Sequence, residues 1–267
     1  MATYVVSDIH GHFKTFERLL EDVSPGAEDQ VWVLGDMIDR GPDPVSVMRA
    51  CRDLPGAHVL MGNHEDLMRD FLLNGEEDQT AAVNWAINGG GTTMEGLDKL
   101  PHDEELDLLE WALELPTAGH VRVCARPFLL VHAGLRPLDL TAGTDWDDAA
   151  LEGLLERQSV EDVLWIREEF WGASTGLLDA RGEGPIVVAG HTPVPYVEPI
   201  ADAFDRPARN EEGLCQMMRV GASEATGGVA DRWAIDCGAA GGAGWGRILM
   251  LRLDDECEFY ATVEEGE

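Results

Sequence analysis

The chain has 267 residues, 45% of them hydrophobic, enough for one large α/β domain with a sizeable core. Fifty-one acidic side chains against nineteen basic ones give a formal charge of −32. That field repels polyanions, so neither nucleic acid nor an anionic membrane surface is an expected partner. No apolar run approaches the length of a membrane span, the start at Met1-Ala2-Thr3-Tyr4 carries no basic leader, and the expected compartment is the cytoplasm. Five cysteines (Cys51, Cys124, Cys215, Cys237, Cys257) stand far apart with no C-x-x-C pair, which predicts neither a disulfide framework nor a thiolate zinc site.

Tyr4-Val5-Val6 reads as a first strand ending in Ser7-Asp8-Ile9-His10-Gly11-His12. Phe13, Phe16, Leu19, Leu20 and Val23 then recur at helical spacing, and Ser24-Pro25-Gly26 ends that helix. A second strand, Val31 to Leu34, opens into Gly35-Asp36-Met37-Ile38-Asp39-Arg40-Gly41-Pro42, and Pro44 starts the next helix. A third, His58 to Met61, runs into Gly62-Asn63-His64-Glu65 and a helix carrying Leu67, Met68, Phe71 and Leu72. Three strand–loop–helix units in succession predict an α/β sheet whose polar loops share one edge.

The middle of the chain is predicted to be helical over Thr80–Ile87 and Asp103–Leu113, with Asn88-Gly89-Gly90-Gly91 as a turn. Strands are expected at Val121–Cys124 and Phe128–Val131, the latter ending in His132-Ala133-Gly134. A helical stretch runs from Asp147 to Arg167, and Ile186–Ala189 is a strand ending in Gly190-His191-Thr192. Residues 199–232 lose the pattern and read as an insertion loop. Strand character returns at Trp233–Gly238 and Arg247–Leu253, and the acidic residues 263–267 read as a flexible end. The whole of 1–267 is taken as one domain.

Five strand ends thus present Asp8 and His10, Asp36, Asn63 and His64, His132, and His191. Carboxylate, amide oxygen and imidazole without thiolate suit Mn²⁺, Fe²⁺ or Zn²⁺, and a single carboxylate can bridge two ions roughly 3.5–4 Å apart. Read one motif at a time, Asn63 could instead cap the following helix, Asp39 could pair with Arg40, and His132 could be a structural histidine.

In order and composition, Asp8-Ile9-His10-Gly11, Gly35-Asp36-x-x-Asp39-Arg40-Gly41, Gly62-Asn63-His64-Glu65, His132-Ala133-Gly134 and Gly190-His191-Thr192 resemble the phosphoprotein phosphatase branch of the calcineurin-like metallophosphoesterases. Trp85-x-x-Asn88-Gly89-Gly90, Leu164-Trp165-Ile166-Arg167-Glu168-x-Phe170 and Ile235-Asp236-x-Gly238 are similar to its compact bacterial and lambda-phage-type serine/threonine members. The resemblance implies a four-layer α-β-β-α sandwich with the site at the C-terminal ends of the strands. It implies two divalent ions, Mn²⁺ first with Fe or Zn as alternatives. Asp8 and His10 would hold one ion, Asn63, His132 and His191 the other, with Asp36 bridging.

By the same resemblance His64 would be the general acid, supported by Asp39, while Arg40 and Arg167 would bind phosphate oxygens. Water activated between the ions would attack phosphorus directly, with no phosphoenzyme. The implied substrate is a phosphorylated protein, peptide or small phosphoester, and the implied activity that of a serine/threonine protein phosphatase. Alternatives are a symmetrical bis(5'-nucleosyl)-tetraphosphatase or a broad phosphoesterase and, more remotely, a non-catalytic phosphate-binding pseudophosphatase.

Overall fold

The computed structural model describes residues 1–75, 79–138 and 145–267. Its strands are β1 (Thr3–Val6), β2 (Gln30–Val33), β3 (Ala57–Val59), β4 (Ala118–Val123) and β5 (Arg126–Val131) in the first half. The second half adds β6 (Ile186–Ala189), β7 (Met218–Val220), β8 (Arg232–Ala234), β9 (Arg247–Arg252) and β10 (Cys257–Thr262). They form two five-stranded mixed sheets, ordered β10-β9-β1-β2-β3 and β4-β5-β6-β8-β7. In the first, β1, β2 and β3 are parallel, β9 runs against them, and β10, antiparallel to β9, closes the edge in the direction of β1. In the second, β5, β6 and β8 are parallel with β4 and β7 antiparallel at the edges.

Helices flank both sheets. They are α1 (Phe13–Val23), α2 (Pro44–Asp53), α3 (Asn63–Asn74), α4 (Gln79–Ile87), α5 (Gly91–Leu97), α6 (His102–Leu113), α7 (Asp148–Leu155), α8 (Val160–Trp165), α9 (Glu168–Trp171) and α10 (Val194–Val197). With helices outside and a second sheet inside, β1 and β6 are buried along their whole length, as a strand covered on both faces must be. The sheets approach closely where Gly119 of β4 meets the Trp32 ring of β2, since a Cβ at Gly119 would come within 2.4 Å of that ring. No helix among the described residues is long and apolar enough to cross a membrane.

Four differences from the sequence reading have physical causes. The stretch expected as one helix from Asp147 breaks into α7, α8 and α9, because Ser159 caps a new start by accepting the Asp162 N–H at 3.0 Å. An unexpected short helix, α5, follows the Gly90 turn and is held by tertiary contact, with Gly96 against Val45 of α2. Segment 199–232 is no loose insertion: it buries Ala208, Cys215, Met217, Met218 and Val220 and supplies β7 as an edge strand. The end is docked rather than free, with Val263 buried, Arg18 paired to Glu264, and the Glu267 carboxylate accepting from Thr15 N and Oγ1 at 2.8 and 2.7 Å.

Candidate metal centre

The loops after β1, β2, β5 and β6, with the first turn of α3, meet at one end of the two sheets. Asp8, His10, Asp36, Asp39, Asn63, His64, His132 and His191 converge there and are all buried. The backbone bends sharply to present them. Of ten described non-glycine residues with positive φ, six lie here: Asp8 (53°), His10 (48°), Asp36 (53°), Asp39 (69°), Arg40 (68°) and His191 (63°). Left-handed backbone at a residue with a Cβ costs about 1–3 kcal/mol and persists only where surrounding bonds over-determine it.

Those bonds are visible. Glu65 is buried, and its carboxylate accepts from the backbone N–H groups of Asp36 (2.8 Å), Met37 (2.9 Å) and Gly62 (2.8 Å). His10 N and Gly11 N donate to Asp36 O and Met37 O, both at 2.9 Å, fastening the first loop to the second. Glycine is required where a Cβ would strike a candidate ligand. At Gly62 it would lie 2.3 Å from Asp36 Oδ1, and at Gly190 2.1 Å from Asp8 Oδ2.

The donor set fits divalent cations. Asp36 divides its oxygens between two groups, Oδ2 3.3 Å from His10 Nε2 and Oδ1 3.5 Å from His132 Nε2. Asp8, Asp36 and His132 each offer a ligand atom within 4.8 Å of the others, as do His10, Asp36 and His64. Asn63 Oδ1 lies 2.9 Å from His132 Nε2 and 2.8 Å from His191 Nδ1, so its side chain faces the centre and Gly62, not Asn63, is the N-cap of α3.

Tautomers agree with ligation. His10 Nδ1 donates to Ile38 O at 3.0 Å and His132 Nδ1 to Leu34 O at 2.8 Å, which leaves each Nε2 lone pair turned towards Asp36. Burial holds His10, His132 and His191 below the usual imidazole range, in the neutral form a metal needs. Asp36 is pushed well above the carboxylate range by burial, and the charges of Asp8 and Glu65 add to it although His64 opposes them. Two buried carboxylates facing neutral imidazoles are the arrangement that a cation relieves.

Beside this group stands His64. Its Nδ1 donates to Asp39 Oδ2 at 2.6 Å, and its Nε2 accepts from Arg40 Nη2 at 2.9 Å. Burial opposes the imidazolium, but the carboxylates of Asp36 and Asp39 outweigh it, so His64 sits above its ordinary range. Arg40 and a proton therefore compete for the same Nε2 lone pair. Asp39 is held from behind by Trp85 Nε1 at 3.0 Å and Thr93 Oγ1 at 2.6 Å. Among the described residues no ion pair joins Asp39 to Arg40: the carboxylate points inward and the guanidinium is exposed at the rim.

Arg167 is also exposed, at the N-cap of α9, close enough to His132 and His191 to lower their proton affinity. His12 is buried beside the carbonyl of Ala239 and the charge of Glu267. The sequence reading passed over Glu65, Thr93 and Asp236 as site residues. Asp236, at the end of β8, is buried with its Oδ1 accepting from Gly238 N at 2.8 Å, and burial followed by the Asp8 charge raises it well above the carboxylate range. Its position within Ile235-Asp236-x-Gly238 was a usable signal; Thr93 offered none.

Fold and donor set together define a metallophosphoesterase. Residues 1–216 match the calcineurin-like phosphoesterase family, and the chain belongs to it. More particularly, it is 37% identical over 171 residues to the symmetrical bis(5'-nucleosyl)-tetraphosphatase of Acidovorax sp., covering 63% of this chain and 53% of that protein. It is 30% identical over 196 residues to the enzyme of the same name from Vibrio campbellii, covering 69% and 62%. The chain thus spans rather more than half the length of these curated relatives.

In fold it resembles a crystal structure assigned as a candidate diadenosine tetraphosphatase, with a TM-score of 0.57, 18% identity and coverage of 99% and 94%. It also resembles a yeast protein serine/threonine phosphatase, with a TM-score of 0.55, 15% identity and coverage of 100% and 81%. At such identities both likenesses concern the fold alone.

Proposed function

We propose that this chain hydrolyses dinucleoside tetraphosphates symmetrically at a two-metal centre. Asp8 and His10 would hold one ion and Asn63, His132 and His191 the other, with Asp36 offering an oxygen to each, Mn²⁺ being the first choice and Fe or Zn the alternatives. The observation that carries the reading is the division of the Asp36 oxygens between two ligand groups, with the His64–Asp39 pair directly beside them. Support for the substrate comes from the names of the relatives at 37% and 30% identity.

Two divalent ions, when bound, supply an activated water and neutralise charge on the phosphate. This chain's own residues do the rest. Arg40 and Arg167, exposed at the rim, receive the non-bridging oxygens. As the attacking oxygen bonds to phosphorus, the bridging P–O bond breaks and His64 Nε2 passes its proton to the departing oxygen. Asp39 keeps the ring oriented and stabilises its charged form. Arg40 leaves Nε2 for the phosphate, so substrate capture frees the acid to hold its proton.

A second reading is hydrolysis of phosphoserine or phosphothreonine esters, favoured by the exposed Arg40 and Arg167, which a protein-borne phosphate could reach. The two differ in leaving group. An alkoxide needs the His64 proton far more than a nucleoside diphosphate does. Diadenosine tetraphosphate, phosphopeptides and p-nitrophenyl phosphate are to be assayed side by side with Mn²⁺, with metal content measured. Preference for the dinucleotide with ADP as sole product is expected; turnover confined to phosphopeptides would overturn the substrate assignment.

A further inference from the structure

Outside the metal centre lies a buried ion pair that the reaction itself does not use. Arg232 opens β8 and is 4% exposed, and Asp231 before it is fully buried. Arg232 Nε donates to Asp231 Oδ1 at 2.9 Å. Its Nη1 donates to the carbonyls of Phe170 at 2.8 Å and Trp171 at 2.7 Å, the open end of α9. The other carboxylate oxygen, Asp231 Oδ2, accepts from Thr175 N and Oγ1, both at 2.8 Å, and from Ser174 Oγ at 3.1 Å. The pair therefore grips both the end of α9 and the segment that leaves it. Gly221 makes room for it: with φ 91°, a Cβ there would lie 2.1 Å from Asp231 Oδ1 and 2.4 Å from Arg232 Nη2.

At the opposite end of α9 stands Arg167. Two residues before it, Trp165 donates from Nε1 to Asp66 Oδ2 of α3 at 3.4 Å, and its ring stands edge-on to His191 with centroids 6.2 Å apart. Arg167 is thus suspended between two anchors, Trp165 on the α3 side and the Arg232–Asp231 pair on the β8 side. A buried ion pair is a poor way to gain stability, because desolvation cancels most of its attraction and apolar residues of equal volume do as well. Its geometry here has a use an apolar pair lacks: a planar guanidinium can bond two adjacent carbonyls and a carboxylate at once.

We propose that Asp231 and Arg232 are positioning residues that hold Arg167 over the metal centre, so that residues 199–232 serve phosphate binding from a distance. The proposal rests on the reading of Arg167 as a phosphate ligand.

A double-mutant cycle with p-nitrophenyl phosphate and diadenosine tetraphosphate on the Mn²⁺-loaded full chain tests it. Arg167→Ala is expected to lower kcat/KM roughly a hundredfold, and Arg232→Lys roughly tenfold in the native background, mainly through KM. In the Arg167→Ala background Arg232→Lys should cost nothing further, and inhibition by inorganic phosphate should weaken in both single variants, more in Arg167→Ala than in Arg232→Lys. Thr175→Val, which removes one bond to Asp231, should show the same dependence on Arg167 with a loss of about threefold, and it decides the matter if Arg232→Lys does not fold. Equal losses in both backgrounds, or a folded Arg232→Lys with native kcat/KM, would overturn the positioning role. Native activity in Arg167→Ala alone would instead remove the reading beneath it.

Discussion

The first sheet and the second build the centre by different means. From the first come every residue between Asp8 and His64, on three loops that bond to one another through backbone and through the buried Glu65 carboxylate. From the second come one histidine after β5, one after β6 and Asp236 after β8, with Arg167 at the rim on the N-cap of α9. These lean on their neighbours. His132 donates to Leu34 O at 2.8 Å, and the His191 N–H donates to the Asp8 carboxylate at 3.0 Å. The first sheet is a self-bracing cage of candidate ligands, while the second depends on that cage and on distant anchors such as Arg232. Damage to the first should therefore fall on the shared carboxylate and the proton donor, and damage to the second on one ion's histidines and, through Arg167, on phosphate binding.

The largest expected effect is in the cage. Asp36→Asn removes the carboxylate shared by both ligand groups and should lower kcat by more than about 10³-fold with loss of bound metal. Full activity with two ions retained would break the contrast at its centre. Next is His64→Gln, expected to lower kcat by roughly 10²–10³-fold while metal content holds. Ion loss there would make His64 a ligand rather than an acid. The effect should be larger on p-nitrophenyl phosphate than on diadenosine tetraphosphate if the departing nucleotide needs little protonation.

Asp39→Asn should be milder, about tenfold in kcat, and carries a signature in pH. His64 lies above its ordinary range in part through Asp39, and as the proposed acid it would work below its pKa and fail as pH rises through it. Without the carboxylate that pKa falls, so the alkaline limb of kcat should move to lower pH; an unmoved limb would separate Asp39 from the acid. The smallest catalytic change is expected from Glu65→Gln. There an amide NH₂ would face backbone donors and destabilise the fold by about 1–3 kcal/mol, read as a lower Tm and denaturation midpoint. A native Tm would show that the loops do not need this brace.

Much of the site was legible because its chemistry is local. Asp8 and His10, Asp36, Asn63 and His64, His132 and His191 each stand where an apolar run stops, beside a glycine that permits the turn, and donor atoms of one hardness recur at every such stop. What failed was whatever depends on partners far along the chain. β7 arises inside a stretch of mixed Ala, Gly, Arg and acid because Met218 and Val220 meet β8, not because its own three residues favour a strand. β10 was missed since its Cys257-Glu258-Phe259-Tyr260 run is half-buried at a sheet edge and has too few apolar residues to announce itself. Thr93 serves Asp39 across 54 residues, and Arg232 serves α9 across some sixty, with no spacing rule to connect them.

The sequence by itself determined the donor types of the candidate centre, their order and their placement at strand ends, since residue chemistry and the alternation of apolar runs with glycine-bounded loops are properties of short stretches. Only the tertiary structure decided which oxygen of Asp36 faces which histidine, that His64 pairs with Asp39 instead of Asp39 with Arg40, and that Met218–Val220 within residues 199–232 pairs with β8 in the second sheet. Each of these is settled by the packing of two sheets against one another. Close packing brings donors and acceptors from remote parts of the chain within bonding distance, and once buried they must take the partners the fold provides.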